Sequence, residues 1–260
     1  MTDTASPPAP PSPAPAAGRG SSWLEQARAF VARIEAIAAT DPGARAALRS
    51  GLGKPLDEAR RMHRIVAPWI PASAMAGDDT QRAFYTVASL IAAQKTAALR
   101  AARPSAPGEP APAGMSPSAS GPGGDTSVAP GEAEPAATSA GPAGASLYGR
   151  SLGLTFAAAV AAGAREGLRE STAETRLNLL TRQSTAGLHR HLPATVRQLC
   201  DKNTPPDWAQ LLVDLRAWPA DRKRIGRRWL QDYYRARHQA ELEAARAAAE
   251  GDQPADALAL

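Results

Sequence analysis

Prolines decide how much of this chain can fold. Six of the 24 fall in residues 1–20 and nine in residues 104–148, stretches that otherwise hold mostly Ala, Gly and Ser. Neither has enough bulky apolar side chains to offset the entropy of ordering the backbone. Residues 1–21 are expected to be a disordered Pro/Ala-rich tail and residues 104–148 a disordered Pro/Gly/Ser/Ala-rich linker. Foldable matter is confined to residues 22–103 and 149–242, each the size of a small domain. Residues 243–260 form an Ala/Glu-rich tail expected to be partly helical.

Charge follows the same division. Residues 22–103 carry 12 Lys/Arg against 7 Asp/Glu and residues 149–242 carry 16 against 9, giving +5 and +7, whereas the linker is −4 and the tail from Glu243 is −3. The foldable parts are more basic than the overall +5 suggests, and that balance favours an anionic partner, nucleic acid first. Other classes drop out. A single cysteine, Cys200, excludes an internal disulfide or a multi-cysteine zinc site and is consistent with a reducing, cytoplasmic setting. The start MTDTASPPAP has no basic segment followed by an apolar run, and no apolar stretch approaches the roughly 20 residues of a membrane span, so neither an export signal nor a membrane association is expected.

The periodicity is helical throughout. Ser22-Trp-Leu-Glu25 has the form of a capping box ahead of Trp23, Ala27, Phe30, Val31 and Ile34, predicting a helix to about Ala39. A short helix over 43–49, the turn Gly51-Leu-Gly-Lys-Pro55, a helix from Asp57 with Met62, Ile65, Val66 and Trp69 on one face, and a long helix over 79–102 follow. Beyond the linker, helices are predicted over 151–162, after a second capping box at Ser171–Glu174, and with Pro193 in a first turn. Asp207 caps a helix in which Trp208, Leu211, Leu212, Leu215 and Trp218 share a stripe, and a last helix runs from Ala220 to about Leu242. No strand pattern is present. The fold class read from the residues is all-α, as two small helical lobes joined by the low-complexity linker.

Several segments occur in a distinctive order: Gly51-Leu-Gly-Lys-Pro-Leu-Asp-Glu-Ala-Arg-Arg-Met62, Arg82-Ala-Phe-Tyr85, Ser151-Leu-Gly153, Arg176 to Leu180, Asp207 to Leu212 with Asp214 to Trp218, and Trp229-Leu-Gln-Asp-Tyr-Tyr234. Together they resemble the CasB family, the small subunit of Cascade, the type I-E CRISPR surveillance complex. The resemblance implies an all-helical, non-catalytic protein without cofactors, present as two copies beside backbone and large subunits, guide RNA and target DNA. It implies binding of nucleic acid without sequence specificity and stabilisation of the R-loop in antiviral defence, base pairing supplying the specificity. Where the motifs align it points to Arg49, Arg176, Arg197 and the basic run Arg222, Lys223, Arg224, Arg227 and Arg228 as nucleic-acid contacts. Leu154 and Thr155 stand where relatives often carry a basic residue after Ser-Leu-Gly. A free-standing helical DNA-binding regulator is the alternative reading, distinguished by its partners.

On a helix Arg224, Arg227, Arg228 and Arg235 fall within about a third of the circumference, apart from Ile225, Trp229 and Tyr233. This suits phosphate contact on one face and burial on the other, with a solvated helix face as the simpler reading. The five tryptophans are expected in the core rather than as stacking platforms, since each lies on or at the end of an apolar stripe. His189 and His191 alternate on a helix and lack further ligands, so no metal site is expected. No nucleophile elbow, phosphate-cradling loop or spaced carboxylate set appears, and Asp207 and Asp214 are read as a cap and a surface partner.

Overall fold

A computed structural model describes residues 19–75, 77–101 and 149–251; the 1–21 tail apart from its last residues, the 104–148 linker and the end of the tail lie outside them. Ten α-helices and four short 3-10 turns make up the described residues, with no strand among them.

α1 (Arg19–Thr40) starts a turn ahead of the Ser22 capping box, so the box does not open the helix. Its face Ala27, Phe30, Val31 and Ile34 is buried, and Phe30 meets Phe84 edge to face with ring centroids 4.9 Å apart. α2 (Pro42–Arg49) begins as its sequence dictates: Asp41 accepts from the Ala44 amide at 2.9 Å, and Pro42 fills a first-turn position where no amide donor is needed. Next comes the glycine turn, in which Gly53 has φ +73.

The predicted helix from Asp57 is instead a chain of 3-10 turns (Leu56–Glu58, Arg60–Met62, Ala67–Trp69, Ala72–Ala74) around the single α-turn of α3 (His63–Val66). Pro55, Pro68 and Pro71 interrupt the hydrogen-bond ladder too often for a longer helix. Met62, Ile65 and Val66 are buried as expected, but Trp69 is 42% exposed and the Arg33 guanidinium lies 4.3 Å from its ring centre.

α4 (Asp78–Ala93) is buried on all sides from Ala83 to Ala92, which identifies it as the central helix. It stops at Gln94 (ψ 162) rather than continuing, and α5 (Thr96–Ala101) resumes just beyond this break. Arg45 occupies the break: its guanidinium donates to the Ala92 carbonyl at 3.1 Å and to the Gln94 carbonyl and Thr96 hydroxyl, satisfying acceptors that a continuous helix would have used.

α6 (Leu152–Ala161) is capped by Ser151, whose hydroxyl accepts from the Leu154 amide. α7 (Gly163–Glu166) is one turn. α8 (Glu170–Thr181) begins before the Ser171–Glu174 box, and no side chain caps it. The chain instead turns at Gly167, where a Cβ would fall 2.2 Å from the Ala159 carbonyl, and the Leu168 amide donates to that carbonyl at 2.8 Å. α9 (Thr185–Asp201) is capped by Ser184, so Pro193 sits inside a helix that starts eight residues before it rather than in a first turn.

Asp207 caps α10 (Trp208–Gly251) as predicted, accepting from the Ala209 and Gln210 amides at 3.0 Å, and its other oxygen accepts from the Arg150 amide at 3.1 Å. The expected interruption near residue 219 is a kink within α10: Pro219 withholds an amide and Asp221 leaves helical geometry (φ −116, ψ 17). α1, α4, α6 and α8 all pack on α10, and buried side chains from before and after the linker form one contiguous core. His189 on α9 and Thr86 on α4 share a 2.8 Å hydrogen bond across it.

Candidate nucleic-acid interface

Immediately after the kink, α10 is buried at Ile225, Trp229 and Tyr233 and solvated at Arg222, Lys223, Arg224 and Arg227. Those four cations line an open groove of about 510 Å3 whose opposite wall is Ser184 and Thr185 at the start of α9. A 17-residue helix presents the positive end of its dipole there. Asp221 is the acidic residue in the lining of that groove. It binds Arg224 at 2.7 Å, which holds its carboxyl below the usual carboxylate range and raises the guanidinium. Arg222, Lys223 and Arg227 have no ion-pair partner among the described residues.

Arg228 differs from its neighbours. Its guanidinium reaches inward to Asp214 at 2.5 Å, and Asp214 also accepts from the Trp229 indole and the Gln210 side-chain Nε2, each at 2.7 Å. At 2% exposed, Asp214 is a buried acceptor and not the surface partner expected from sequence. It ties the helix before the kink to the helix after it, and Arg228 serves that junction.

Arg49 and Arg197, 148 positions apart in sequence, line a second groove of about 360 Å3 among the end of α2, the end of α4 and α9. Lys95, in the α4–α5 break, lines it too and was not found from sequence, because a continuous helix over 79–102 hides the turn that presents it. Asp201 pairs with Lys95 at 3.4 Å and lies 3.9 Å from Arg197. The floor is apolar, with Leu52, Leu90 and Val196. Arg176, half-buried on α8, lines neither groove. The grooves attend different parts of α9: the first its positive N-terminus, the second the half that ends in Asp201 and the negative end of the dipole.

Trp218 and Trp229 are fully buried, 5.1 Å apart, and Trp208 is buried; Trp23 is partly buried under the Arg216 guanidinium. With Trp69 exposed, the expectation of core packing is met fully by three of the five. Burial and the Arg82 charge lower the His189 pKa to about 4, burial raises that of the Cys200 thiol to about 11, and no cluster of three metal-ligating side chains occurs among the described residues. No helix among them is long and apolar enough to cross a membrane.

Residues 44–234 match the family model of CRISPR-associated protein Cse2. A chain in a solved structure described as a CRISPR RNA-guided surveillance complex is 30% identical with TM-score 0.60, over 85% of this chain and 99% of that one. A second, described as such a complex, pre-nicking, is 30% identical with TM-score 0.60, over 85% and 98%. A crystal structure of a Cse2-family protein from Thermus thermophilus is 18% identical with TM-score 0.49, over 80% and 97%. No curated protein sequence matches. The chain belongs to the CRISPR-associated protein Cse2 family, the family whose small-subunit motifs its sequence resembles.

Proposed function

We propose that this chain is the small subunit of a type I-E CRISPR surveillance complex, working in the cytoplasm as two copies beside the backbone and large subunits, guide RNA and target DNA. It acts without catalysis. Its task is to hold DNA strands opened when guide RNA pairs with its target, stabilising the R-loop without reading sequence. The observation that carries the reading is the first groove: four cations and a helix N-terminus face one channel, a setting that suits phosphate oxygens whatever the base sequence. Arg222, Lys223, Arg224 and Arg227 are assigned to the strand. Arg228 positions them through Asp214. Arg49 and Arg197, with an aspartate and an apolar floor beside them, and Arg176, outside both grooves, receive no strand contact in this proposal.

Co-expression with the other complex subunits and a guide array tests it. The chain should copurify with them and with guide RNA, and its omission should weaken R-loop formation on matched targets far more than guide-RNA retention. A complex that assembles and opens DNA equally well without the chain overturns the proposal.

A further inference from the structure

Asp221 is out of keeping with the first groove. Its carboxylate stands in the lining beside Arg222, Lys223, Arg224 and Arg227, the cations assigned above to phosphates. An anion there repels the very ligand the groove suits. Helix capping does not explain it. Asp41, Ser151, Ser184 and Asp207 each accept from a backbone amide at the start of a helix, the usual reason for such a residue at such a place. Asp221 lies at the kink with φ −116 and ψ 17, yet the hydrogen bond it accepts comes from the Arg224 guanidinium, at 2.7 Å, and not from an amide.

That pair is built to open. The side chains of Arg224 and Asp221 are 68% and 42% exposed, so water reaches both partners and the bond contributes little to stability. Arg228 shows the opposite arrangement. Its partner Asp214 is buried, and a strand that drew Arg228 away would leave a carboxylate without water or cation. Asp221, once released, is hydrated at once. A carboxylate and a phosphate each present charged oxygens to the same guanidinium fork, so one can take the place of the other on Arg224.

We propose that Asp221 is a built-in competitor of the strand, occupying Arg224 until a phosphate displaces it, and that it sets how readily the groove takes up nucleic acid that guide pairing has not delivered. This rests on the reading of the first groove as the strand site. The benefit follows from concentration. A basic groove binds any nucleic acid through its backbone, matched or not. A strand opened at the same complex is present at a roughly millimolar effective concentration and still fills a groove weakened several-fold. A stray strand, far more dilute, is shed in proportion.

Equilibrium binding of a mixed-sequence single-stranded DNA with no complementarity to the guide, measured at low salt on the assembled, guide-loaded complex, tests this. D221N should bind it at least about threefold more tightly than wild type, the scale of one exposed ion pair. In the R224Q background the same change should gain less than about 1.5-fold, since no guanidinium is left to release and only a screened surface charge is lost. An affinity unchanged in D221N overturns the competitor. So does a gain just as large in the R224Q background, which would make Asp221 an ordinary contributor to the field of the groove. Unaltered subunit composition and helical content exclude misassembly as the cause. R222Q/K223Q/R227Q on the same DNA reports on the underlying reading: unchanged binding there overturns the strand site and the competitor with it, whereas weakened binding there beside an inert D221N removes the competitor alone.

Discussion

Gly153 on α6 lies so close to Trp229 on α10 that a Cβ added to the glycine would fall 1.9 Å from the Trp229 carbonyl oxygen and 2.7 Å from its carbonyl carbon. The two helices pack backbone to backbone at this point, and the Ser151-Leu-Gly153 motif has two structural duties: the serine caps α6 and the glycine admits α10. Trp229 then holds Asp214 through its indole, so the same crossing supports the helix that carries the basic groove.

Gly153→Ala should therefore destabilise the protein by about 1–3 kcal/mol or more, despite the better helix propensity of alanine. The obstacle is backbone, which cannot rotate aside as a side chain would. A lowered urea midpoint with an unchanged slope checks it; a midpoint at or above wild type would show that the helices separate without cost.

The all-helical class and most of the core were legible in the sequence because apolar periodicity survives any detail of the ends: Phe30, Ile34, Leu177, Leu212 and Trp218 are all buried. Boundaries were less legible. The boxes at Ser22 and Ser171 have capping chemistry but do not open their helices, since α1 begins at Arg19 and the Gly167 turn sets the start of α8. The break at Gln94 depends on Arg45, 49 positions away, and no local pattern reports it. At the site, the basic run was visible as a run. That Arg228 reaches inward to a buried acceptor was not, because Asp214 lies 14 positions back across a proline kink and only the fold brings them together.

Asp214→Ala removes the acceptor that Arg228, Trp229 and Gln210 share. The loss should be about 3 kcal/mol, toward the lower end for a broken buried pair because Arg228 still reaches water. Chemical denaturation measures it. If stability were unchanged, the two halves of α10 would not depend on this junction.

The buried His189 and the half-buried Glu35 should pull stability in opposite directions between pH 4 and 7. Burial first and Arg82 second lower His189 from 6.5 to about 4, so as pH falls the unfolded chain takes up the proton before the native one, and stability present above 6.5 drains away toward pH 4. Burial raises Glu35 from 4.5 to about 7, so as pH rises the unfolded chain loses its proton first, and stability present below 4.5 is lost through pH 7. A displacement of this size corresponds to about 3 kcal/mol for the buried His189, and to less for Glu35, which solvent still screens. Glu35→Gln abolishes only the second effect: its stability relative to wild type should rise from acid to neutral pH, by about 1–2 kcal/mol once solvent screening of the half-buried carboxyl is allowed for. A difference that stays constant across that range would show that Glu35 does not titrate as its burial implies.

The strand-binding role of the first groove is best probed with Arg222, Lys223 and Arg227 changed together to Gln. Arg224 is left because Asp221 already engages it, and Arg228 because Asp214 needs it; including either would mix lost contacts with a changed local structure. Glutamine keeps helix propensity while removing three exposed charges. If each neutralises one phosphate of a single strand, the slope of log affinity against log salt should fall by about 2, at roughly 0.7 per contact, and by a similar amount on DNA of any sequence. The loss should be greater for targets that must open than for guide-RNA retention, because the groove is assigned to separated DNA. Affinity measured at several salt concentrations on the assembled complex gives both numbers. An unchanged slope with intact assembly would make the cluster a solvated helix face, and a slope that fell for one sequence alone would mean that the groove reads bases after all.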